Sequence, residues 1–364
     1  MGHAAGMRIT DVRVAEYDLG PLARPYRNSI LTTTRRHLAF CHVDTDEGLT
    51  GTSFLTGGHF VAGPLRERVL GEDPLNAARL WDRMFTGWRK PFVKGEAIAA
   101  IGSLDNALWD LRGRILGQPV YRLLGGFRDR VPAYAAGGYY EDGKSPADLG
   151  QEMAHFVEAG YRAVKMKIGG APFRVDCERV RAAREAVGPD VELMIDANNA
   201  WTAAEAIRFG RAVERYDVSW FEEPCWPDDL EGAAEVCRAL DMPVASGEIE
   251  FTRWGCRDLI ERQAADIVQA DPQTCGGLTE WVRIAAIASA HHLPVAPHGN
   301  QYLGGHAVAA VDNGLIVESY ARLQAWQDDY LAPIQLEEGE IVLPQTPGLG
   351  LEIDEAALRP AAAG

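Results

Sequence analysis

Short apolar runs bounded by turns alternate with helical segments from about residue 131 onward, which is typical of parallel strands buried on both faces. Eight such runs occur: Val131–Ala136, Ala163–Ile168, Val191–Ile195, Val218–Phe221, Pro243–Ser246, Asp266–Ala270, Pro294–Pro297 and Leu315–Val317. Eight strands separated by helices predict a closed (β/α) barrel rather than an open sheet. Because no complete helix follows the last run, we predict the modified form (β/α)7β over residues 128–330.

The helices between these runs carry their own start and stop signals. Thr202-Ala203-Ala204-Glu205 has the form of a capping box and predicts a helix running towards Tyr216. Ser145 is the predicted N-cap of a helix that ends at Gly160, and Gly188 ends the following helix.

Residues 7–127 follow a different pattern, in which strands come first and helices afterwards. The predicted strands are Arg8–Tyr17, His37–Val43 and Leu49–Phe54, and the predicted helices are Phe60–Leu70, Pro74–Phe85 and Glu96–Leu116. This order predicts a separate α+β capping domain. Residues 331–364 return to short strands, Ile334–Leu336 and Gly339–Val342, and we expect this tail to pack back on the capping domain and complete it.

Composition excludes several classes of protein. The formal net charge is 36 − 52 = −16, and so acidic a surface repels the phosphates of nucleic acids. No apolar run approaches the roughly 18 residues that span a bilayer, and the N-terminus has no basic region followed by an apolar core. The six cysteines are scattered without zinc-site spacing. We therefore expect a cytoplasmic protein with reduced thiols.

Ionisable and polar residues follow the predicted strands, where functional groups of a barrel lie. They are Lys165, Lys167, Asp196, Asn198, Glu222, Glu248, Asp271, His298 and Glu318. Any one acid here can be a helix N-cap, and a lone histidine is more often structural than catalytic. The set favours another interpretation, because three converging carboxylates repel one another by several kcal/mol unless a cation lies between them.

The first three acids, Asp196, Glu222 and Glu248, are each 26 residues apart, which is the length of one β/α unit. Oxygen ligands alone favour a hard divalent ion, so we predict Mg²⁺, with Mn²⁺ as a substitute.

Two pairs of residues predict acid–base chemistry. Lys165 and Lys167 point to the same face of a strand. An isolated lysine is deprotonated only about one part in 2500 at pH 7, but a second ammonium and a nearby divalent cation lower its pKa. Lys167 is thus predicted to be a base, and Lys165 to stay charged and hold an anion.

Asp271 is predicted to orient His298 as a second acid/base on the other side of the metal. This arrangement suits removal of a proton next to a carboxylate.

Taken together, these positions resemble the enolase superfamily and, within it, the mandelate racemase subgroup, from about Met7 to Ile353. The motifs are Lys165-Met166-Lys167, Asp196-Ala197-Asn198, Phe221-Glu222-Glu223-Pro224, Gly247-Glu248, and the Asp271, His298 and Glu318 positions. The resemblance implies that Asp196, Glu222 and Glu248 bind Mg²⁺ and that Lys167 and the His298–Asp271 dyad are acid/bases. It implies that Glu318 hydrogen-bonds the substrate carboxylate, that loops near Leu19–Thr34 and Thr52–His59 close over the site, and that the protein is a homo-oligomer.

These residues reduce the number of possible reactions but do not select a single one. Muconate-lactonising enzymes and dipeptide epimerases carry a lysine after the sixth strand, where this chain has Asp271-Pro272-Gln273-Thr274. Segments such as Pro297-His298-Gly299-Asn300 resemble those of acid-sugar dehydratases. We favour dehydration of a sugar acid to a 2-keto-3-deoxy acid, with racemisation or epimerisation of a 2-hydroxy acid as the alternative.

One further class stays open, a barrel that binds a carboxylate without turning it over. A Schiff-base aldolase would also use a lysine on a strand, but it has no use for three converging acids. The expected partner is a small carboxylate, with no nucleic acid and no membrane. Specificity is expected from Asn198, Tyr26, Arg27 and Tyr139, with packing as the alternative role for the aromatic residues.

Overall fold

Two sheets organise the chain in the computed structural model, which describes residues 6–87 and 94–362. The N-terminal sheet is the antiparallel meander β1 (Ile9–Arg27), β2 (Thr32–Thr45) and β3 (Thr50–Phe54). The predicted combination of a capping domain with a (β/α)7β barrel is confirmed. The first two strands extend well beyond their predicted bounds and form a long hairpin, whose register shifts between Asp18 and Tyr26. Gly20, Pro21 and Pro25 interrupt the apolar pattern there, which is why the sequence predicts a shorter strand.

Helices cover one face of this meander. They are α1 (Gly58–Phe60), a π-helical turn (Val61–Leu65), α2 (Arg66–Val69), α3 (Ala77–Thr86), α4 (Glu96–Leu116) and α5 (Val120–Leu124). Helix α4 is buried along most of its length and lies close against β3. A Cβ atom on Gly51 would lie 2.3 Å from the carbonyl oxygen of Ala107, so only glycine permits this approach.

The barrel strands run parallel in chain order. They are β4 (Arg130–Gly137), β5 (Ala163–Lys167), β6 (Glu192–Asp196), β7 (Val218–Glu222), β8 (Val244–Ser246), β9 (Ile267–Val268) and β10 (Val317–Ser319). The helices are α6 (Pro146–Glu158), α7 (Phe173–Val187), α8 (Ala203–Val213), α9 (Leu230–Ala239), α10 (Thr252–Glu261), α11 (Leu278–Ala290) and α12 (Gln301–Ala310). Short 3₁₀ turns lie at Glu214–Tyr216, Ala325–Asp329 and Arg359–Ala361. The capping boxes predicted at Ser145 and Thr202 are both formed.

The seventh strand is much shorter than predicted. Of the run Pro294–Pro297, only Val295 forms ladder bridges, to Val268 on one side and Gly314 on the other. Strand β10 then pairs with β4, so the ring still closes. Apolar side chains including Tyr134, Met194 and Trp220 fill the barrel interior beneath the strand ends.

The C-terminal tail contacts both parts of the molecule. Its hairpin, β11 (Gln335–Glu337) and β12 (Glu340–Val342), pairs antiparallel with β4 of the barrel. For this hairpin the expected packing on the capping domain is wrong, because the free edge at the start of β4 offers it unpaired backbone groups. Later residues do reach the capping domain: the amide of Leu349 donates to Asp110 at 2.7 Å. Helix α13 (Glu355–Leu358) follows.

None of the helices in residues 6–87 and 94–362 is long and apolar enough to cross a lipid bilayer. The six cysteines are all free.

Candidate active site

The ionisable residues singled out from the sequence meet at the C-terminal ends of the barrel strands. Lys165 and Lys167 lie on β5, and Asp196 and Glu222 are the last residues of β6 and β7. Lys167 pairs in register with Asp196, and Asp196 with Glu222, so the strand ladder itself brings them together. Glu318 lies on β10, while Glu248, Asp271 and His298 lie in the loops that follow β8, β9 and Val295.

The two lysines are buried and engage different carboxylates. Lys165 forms ion pairs with Glu222 and, at 2.7 Å, with Glu318, and it donates to the Tyr134 hydroxyl at 3.2 Å. Lys167 forms its ion pair with Asp196. Lys165 also lies 3.9 Å from Asp196, so it faces three acids, whereas Lys167 pairs with Asp196 alone.

Both ammonium groups are held in the charged form. Burial alone would lower the pKa of Lys167, but Asp196, Tyr139 and Glu222 together outweigh it and the pKa is raised. Lys165 lowers the pKa of Lys167, as expected from the sequence, but its effect is smaller than that of Asp196. The expected lowering also depends on a bound divalent cation and stays a prediction; without one, Asp196 pairs directly with Lys167. The pKa of Lys165 is also raised, because Glu222 and Glu318 outweigh its burial.

Glu222 accepts hydrogen bonds from two residues inside the barrel that the sequence alone does not predict. Its Oε2 atom accepts from Trp220 Nε1 at 3.1 Å and from Gln269 Nε2 at 2.7 Å. The signal was present, because Trp220 lies two residues before Glu222 on one strand and so faces the same interior. Burial raises the pKa of Glu222 to about 8.

The side chains of the three predicted metal ligands do not converge on a common point. Within the described residues, no three Asp, Glu, His or Cys side chains are arranged as a metal site. Asp196 and Glu222 instead face Lys165, and Glu248 faces His298.

The chemistry of these three residues nevertheless fits a hard divalent cation. All donors are carboxylate oxygens. Glu248 Oε2 is buried without a hydrogen-bond partner. Burial, together with neighbouring acids, raises the pKa of Glu248 as well as that of Glu222, which shows that positive charge would be stabilised here.

His298 and Asp271 form the predicted pair. Nδ1 of His298 lies 3.0 Å from Oδ2 of Asp271, and Nε2 lies 3.5 Å from Glu248 and 3.8 Å from Glu318. Burial would lower the pKa of His298, but Glu248, Glu318 and Asp271 outweigh it, and the pKa lies well above its usual value. The structure therefore favours an imidazolium with Nε2 facing the acids.

A capping-domain helix fixes the loop that carries Asp271. The amide of Gln273 donates to Asp271 Oδ1 at 2.6 Å. Asn106 of α4 donates to the carbonyl oxygen of Pro272 at 3.0 Å and accepts from the amide of Leu278 at 2.8 Å. The orientation of the histidine therefore depends on contacts between the two domains.

The predicted specificity residues have different surroundings. The Tyr139 ring centre lies 5.1 Å from Lys167 Nζ, and the Tyr26 ring packs edge-on against Tyr139 at 4.8 Å. Asn198 has a left-handed backbone (φ 46°), and its buried side-chain Oδ1 has no hydrogen-bond partner. The Arg27 guanidinium donates to the carbonyl oxygen of Gly170 at 3.0 Å. The structure thus brings Tyr26, Tyr139 and Asn198 to the site, while Arg27 is engaged with the barrel backbone.

Two family profiles match the chain. Residues 9–125 match the mandelate racemase/muconate lactonizing enzyme N-terminal domain, and residues 148–357 match the enolase C-terminal domain-like family. The chain is 37% identical over 294 residues to the arabinonate dehydratase of Saccharolobus solfataricus, covering 79% of each chain. It is 34% identical over 324 residues to the 3,6-anhydro-alpha-L-galactonate cycloisomerase of Streptomyces coelicolor, covering 86% of this chain and 88% of the relative.

A solved structure has the same architecture. A racemase from Streptomyces coelicolor A3(2), determined with bound magnesium, superposes with a TM-score of 0.90 at 32% identity. The alignment covers 98% of this chain and 100% of that protein. Dehydratases, cycloisomerases and a racemase are thus all among the proteins similar to this chain.

Proposed function

The chain belongs to the mandelate racemase/muconate lactonizing enzyme family of the enolase superfamily, and on that premise we propose that it is a Mg²⁺-dependent dehydratase of a sugar acid. Asp196, Glu222 and Glu248 would hold the ion, with Mn²⁺ as a substitute. A bound Mg²⁺ would supply Lewis-acid stabilisation of the negative charge that develops at the substrate carboxylate. We also expect a homo-oligomer.

In the proposed reaction Lys167 takes the proton from C2. Its ammonium is now paired with Asp196, so it must lose that attraction before it can act as a base. Asp196 would offer Lys167 less attraction if it held a divalent cation, and the pKa of Lys167 would then fall. Lys165, which stays charged between Glu222 and Glu318, is the group that attracts the substrate carboxylate. Lys165 and His298 outweigh burial and hold the pKa of Glu318 below its usual value, so Glu318 would have to take up a proton before it could donate a hydrogen bond to that carboxylate.

His298 supplies the second proton transfer. The C3–O bond breaks, and the imidazolium gives its Nε2 proton to the departing hydroxyl, which leaves as water. The resulting enol tautomerises to a 2-keto-3-deoxy acid. Tyr139, Tyr26 and Asn198 would contact the sugar chain, since their rings or free polar atoms lie beside Lys167 and Asp196.

The pairing of His298 Nδ1 with Asp271, which leaves Nε2 turned towards the acids of the site, is the observation that carries the proposal. A histidine hydrogen-bonded to Asp271 and facing Glu248 holds a proton at neutral pH and is suited to protonate a leaving hydroxyl. A racemase would need the same histidine neutral in one direction of its reaction. Racemisation of a 2-hydroxy acid remains the second candidate, because two acid/base groups approach the site from different strands and a racemase shares the fold.

A substrate screen tests the proposal. Purified protein with Mg²⁺ would be incubated with mono- and diacid sugars, and 2-keto products detected as semicarbazones. We expect a product with at least one acid, complete loss with EDTA, and recovery on adding Mg²⁺. Glu222→Gln should lose activity and keep its melting temperature, because it weakens ligation without changing shape.

The matched control is Glu192→Gln, which removes an exposed acid at the start of β6 and should keep full activity. Unchanged turnover in a metal-free sample would contradict the proposed metal requirement.

A further inference from the structure

Tyr140 lies between two guanidinium groups at the junction of the capping domain and the barrel. Arg179 of α7 packs over its ring at 4.1 Å, and Arg27 of the β1–β2 hairpin packs at 4.8 Å. The Tyr140 hydroxyl donates to Asp176 at 2.6 Å and accepts from the amide of Gly170 at 3.0 Å. Tyr140, Asp176 and Arg179 are all buried, so these contacts are made largely out of water.

Arg179 joins the ends of two neighbouring barrel strands. Its Nη2 atom donates to the carbonyl oxygen of Gly138, just after β4, at 2.6 Å. The same atom donates to the carbonyl oxygen of Lys167, the last residue of β5, at 3.1 Å. The backbone that carries the proposed base is thus held directly by a buried arginine.

Tyr140 also attaches the hairpin to the barrel. The amide of Arg27 donates to the Tyr140 carbonyl oxygen and the amide of Tyr140 donates to that of Arg27, each at 2.9 Å. Ser29 adds a bond from its hydroxyl to the carbonyl oxygen of Ala197 at 2.7 Å.

Just before these contacts the hairpin spans a cavity of about 740 Å³. Ala23–Pro25 line one side of it, and Gly143 and Lys144 line another. The hairpin is therefore held at a few points rather than along its whole length, and loss of those points should allow it to open locally.

We propose that Arg179, Asp176, Tyr140 and Arg27 form a latch that closes the capping hairpin on the barrel mouth and at the same time positions Lys167. The four residues do not touch the reacting atoms, so their role is positioning. Opening the latch would release Tyr26, which precedes Arg27, from its place against Tyr139. The latch itself stands on geometry, whereas its effect on turnover rests on the proposed function.

Hydrogen exchange followed by mass spectrometry tests the latch without any substrate. Tyr140→Phe keeps the ring but loses both hydroxyl bonds, and Arg179→Lys keeps the charge but loses the Nη2 atom that donates to both carbonyl oxygens. We expect amides of residues 26–32 to exchange about tenfold faster in each variant, with the rest of β2 and all of β3 unchanged. Arg181→Met is the control on the same helix, since Arg181 is exposed and paired only with Glu185 among the described residues, and its exchange should match the wild type.

Kinetics on whichever acid of the screen is turned over separates positioning from general damage. Arg179→Met should lower kcat by about 10- to 100-fold, because it frees the Lys167 backbone, with a smaller change in KM. Arg179→Lys should recover part of that loss. Tyr140→Phe should mainly raise KM, because substrate must then stabilise the closed hairpin.

Three outcomes overturn the proposal. These are unchanged exchange of residues 26–32 in both Tyr140→Phe and Arg179→Lys, faster exchange throughout the barrel, and equal effects of Arg179→Met and Arg181→Met on kcat. If no acid is turned over, the proposed function fails, and the exchange experiment still decides the latch.

Discussion

Lys165 and Lys167 lie two residues apart on one strand and have different partners. Lys165 is enclosed by Glu222, Glu318 and the Tyr134 hydroxyl, which keeps it cationic. Lys167 pairs with Asp196 and lies beneath the open face of Tyr139. This difference supports the roles that we propose, which are anion binding for Lys165 and proton transfer for Lys167.

Lys167→Arg is the direct test of that assignment. The substitution keeps the charge and the approximate length, but a guanidinium does not deprotonate at neutral pH. We expect turnover of the screened substrate to fall at least about 100-fold, measured as initial rate of 2-keto acid formation. Wild-type rates in this variant would mean that His298 is the abstracting base.

His298→Asn should separate the two proton transfers. The asparagine cannot act as an acid, so departure of the 3-hydroxyl should slow by about two to four orders of magnitude. Exchange of the C2 hydrogen with solvent deuterium, measured by NMR, should continue because Lys167 is untouched. Loss of both the exchange and the product would instead show that His298 removes the C2 proton.

At the residue scale, the sequence identified the ionisable site positions but not what surrounds them. The positions follow strands of predictable spacing, so Lys165, Asp196 and Glu222 could be located. The direction of the Lys167 pKa shift could not, because it depends on which carboxylate lies nearest. Trp220 and Gln269, which hold Glu222, look like ordinary interior residues until the barrel is closed.

Helix α4 couples the capping domain to the loop that carries Asp271. A Cβ on Gly102 would lie 2.2 Å from the carbonyl oxygen of Gln273 and 3.0 Å from the amide of Gly277. Both are backbone atoms and cannot move aside without moving the loop. We expect Gly102→Ala to destabilise the protein by about 1–3 kcal/mol and to lower kcat, measured by urea unfolding and product formation.

Gly305→Ala is the matched helix control. Its nearest atom is the tip of Leu343 at 3.4 Å, so the new methyl group meets ordinary contact. Stability should be unchanged or higher by up to about 1 kcal/mol. Equal behaviour of the two variants would refute the proposed coupling.

Helix α12 carries His306, a buried histidine that should make the stability of the protein depend on pH. Its Nδ1 accepts from the amide of Tyr121 at 3.1 Å and its Nε2 donates to the carbonyl oxygen of Leu349 at 3.0 Å, so the ring is neutral. Burial lowers its pKa to about 4. Because the unfolded chain then binds the proton more readily, the stabilisation is present above about pH 6.5 and is lost as pH falls towards 4.

This group should account for about 2 kcal/mol of the stability lost between pH 7 and pH 5. Urea unfolding of His306→Gln at both pH values should show a loss smaller by that amount. The control His155→Gln changes an exposed histidine and should keep the wild-type dependence. An identical loss in His306→Gln and wild type would contradict the prediction.

At the scale of elements, regular segments were predictable and short ones were not. Helix α8 begins at the predicted capping box because the cap is local chemistry. The seventh barrel strand is reduced to Val295, and hairpin β11–β12 joins β4, because both depend on which edges remain unpaired after closure. The contacts between this hairpin and β4 join residues about 200 positions apart and leave no local pattern.

The whole molecule combines an acidic barrel mouth with a cap that reaches it at several points. Lys165 pairs with Glu318 of another strand, and His298 pairs with Asp271. Asn106 of the cap binds the loop that carries Asp271. The relatives of the chain include a dehydratase and a cycloisomerase, and the reaction that we propose begins with proton removal next to a carboxylate. The central claim is therefore that abstraction at C2 is followed by loss of the 3-hydroxyl.

The most direct measurement is the proton NMR spectrum of products formed in D₂O by wild-type protein with Mg²⁺ across the sugar-acid panel. A dehydratase must give a 2-keto-3-deoxy acid that carries one solvent deuterium at C3, because the enol takes its proton from water. Glu192→Gln should give the same product and Glu222→Gln none. If the wild-type protein only inverts C2 or only isomerises a ring, the dehydratase assignment is wrong.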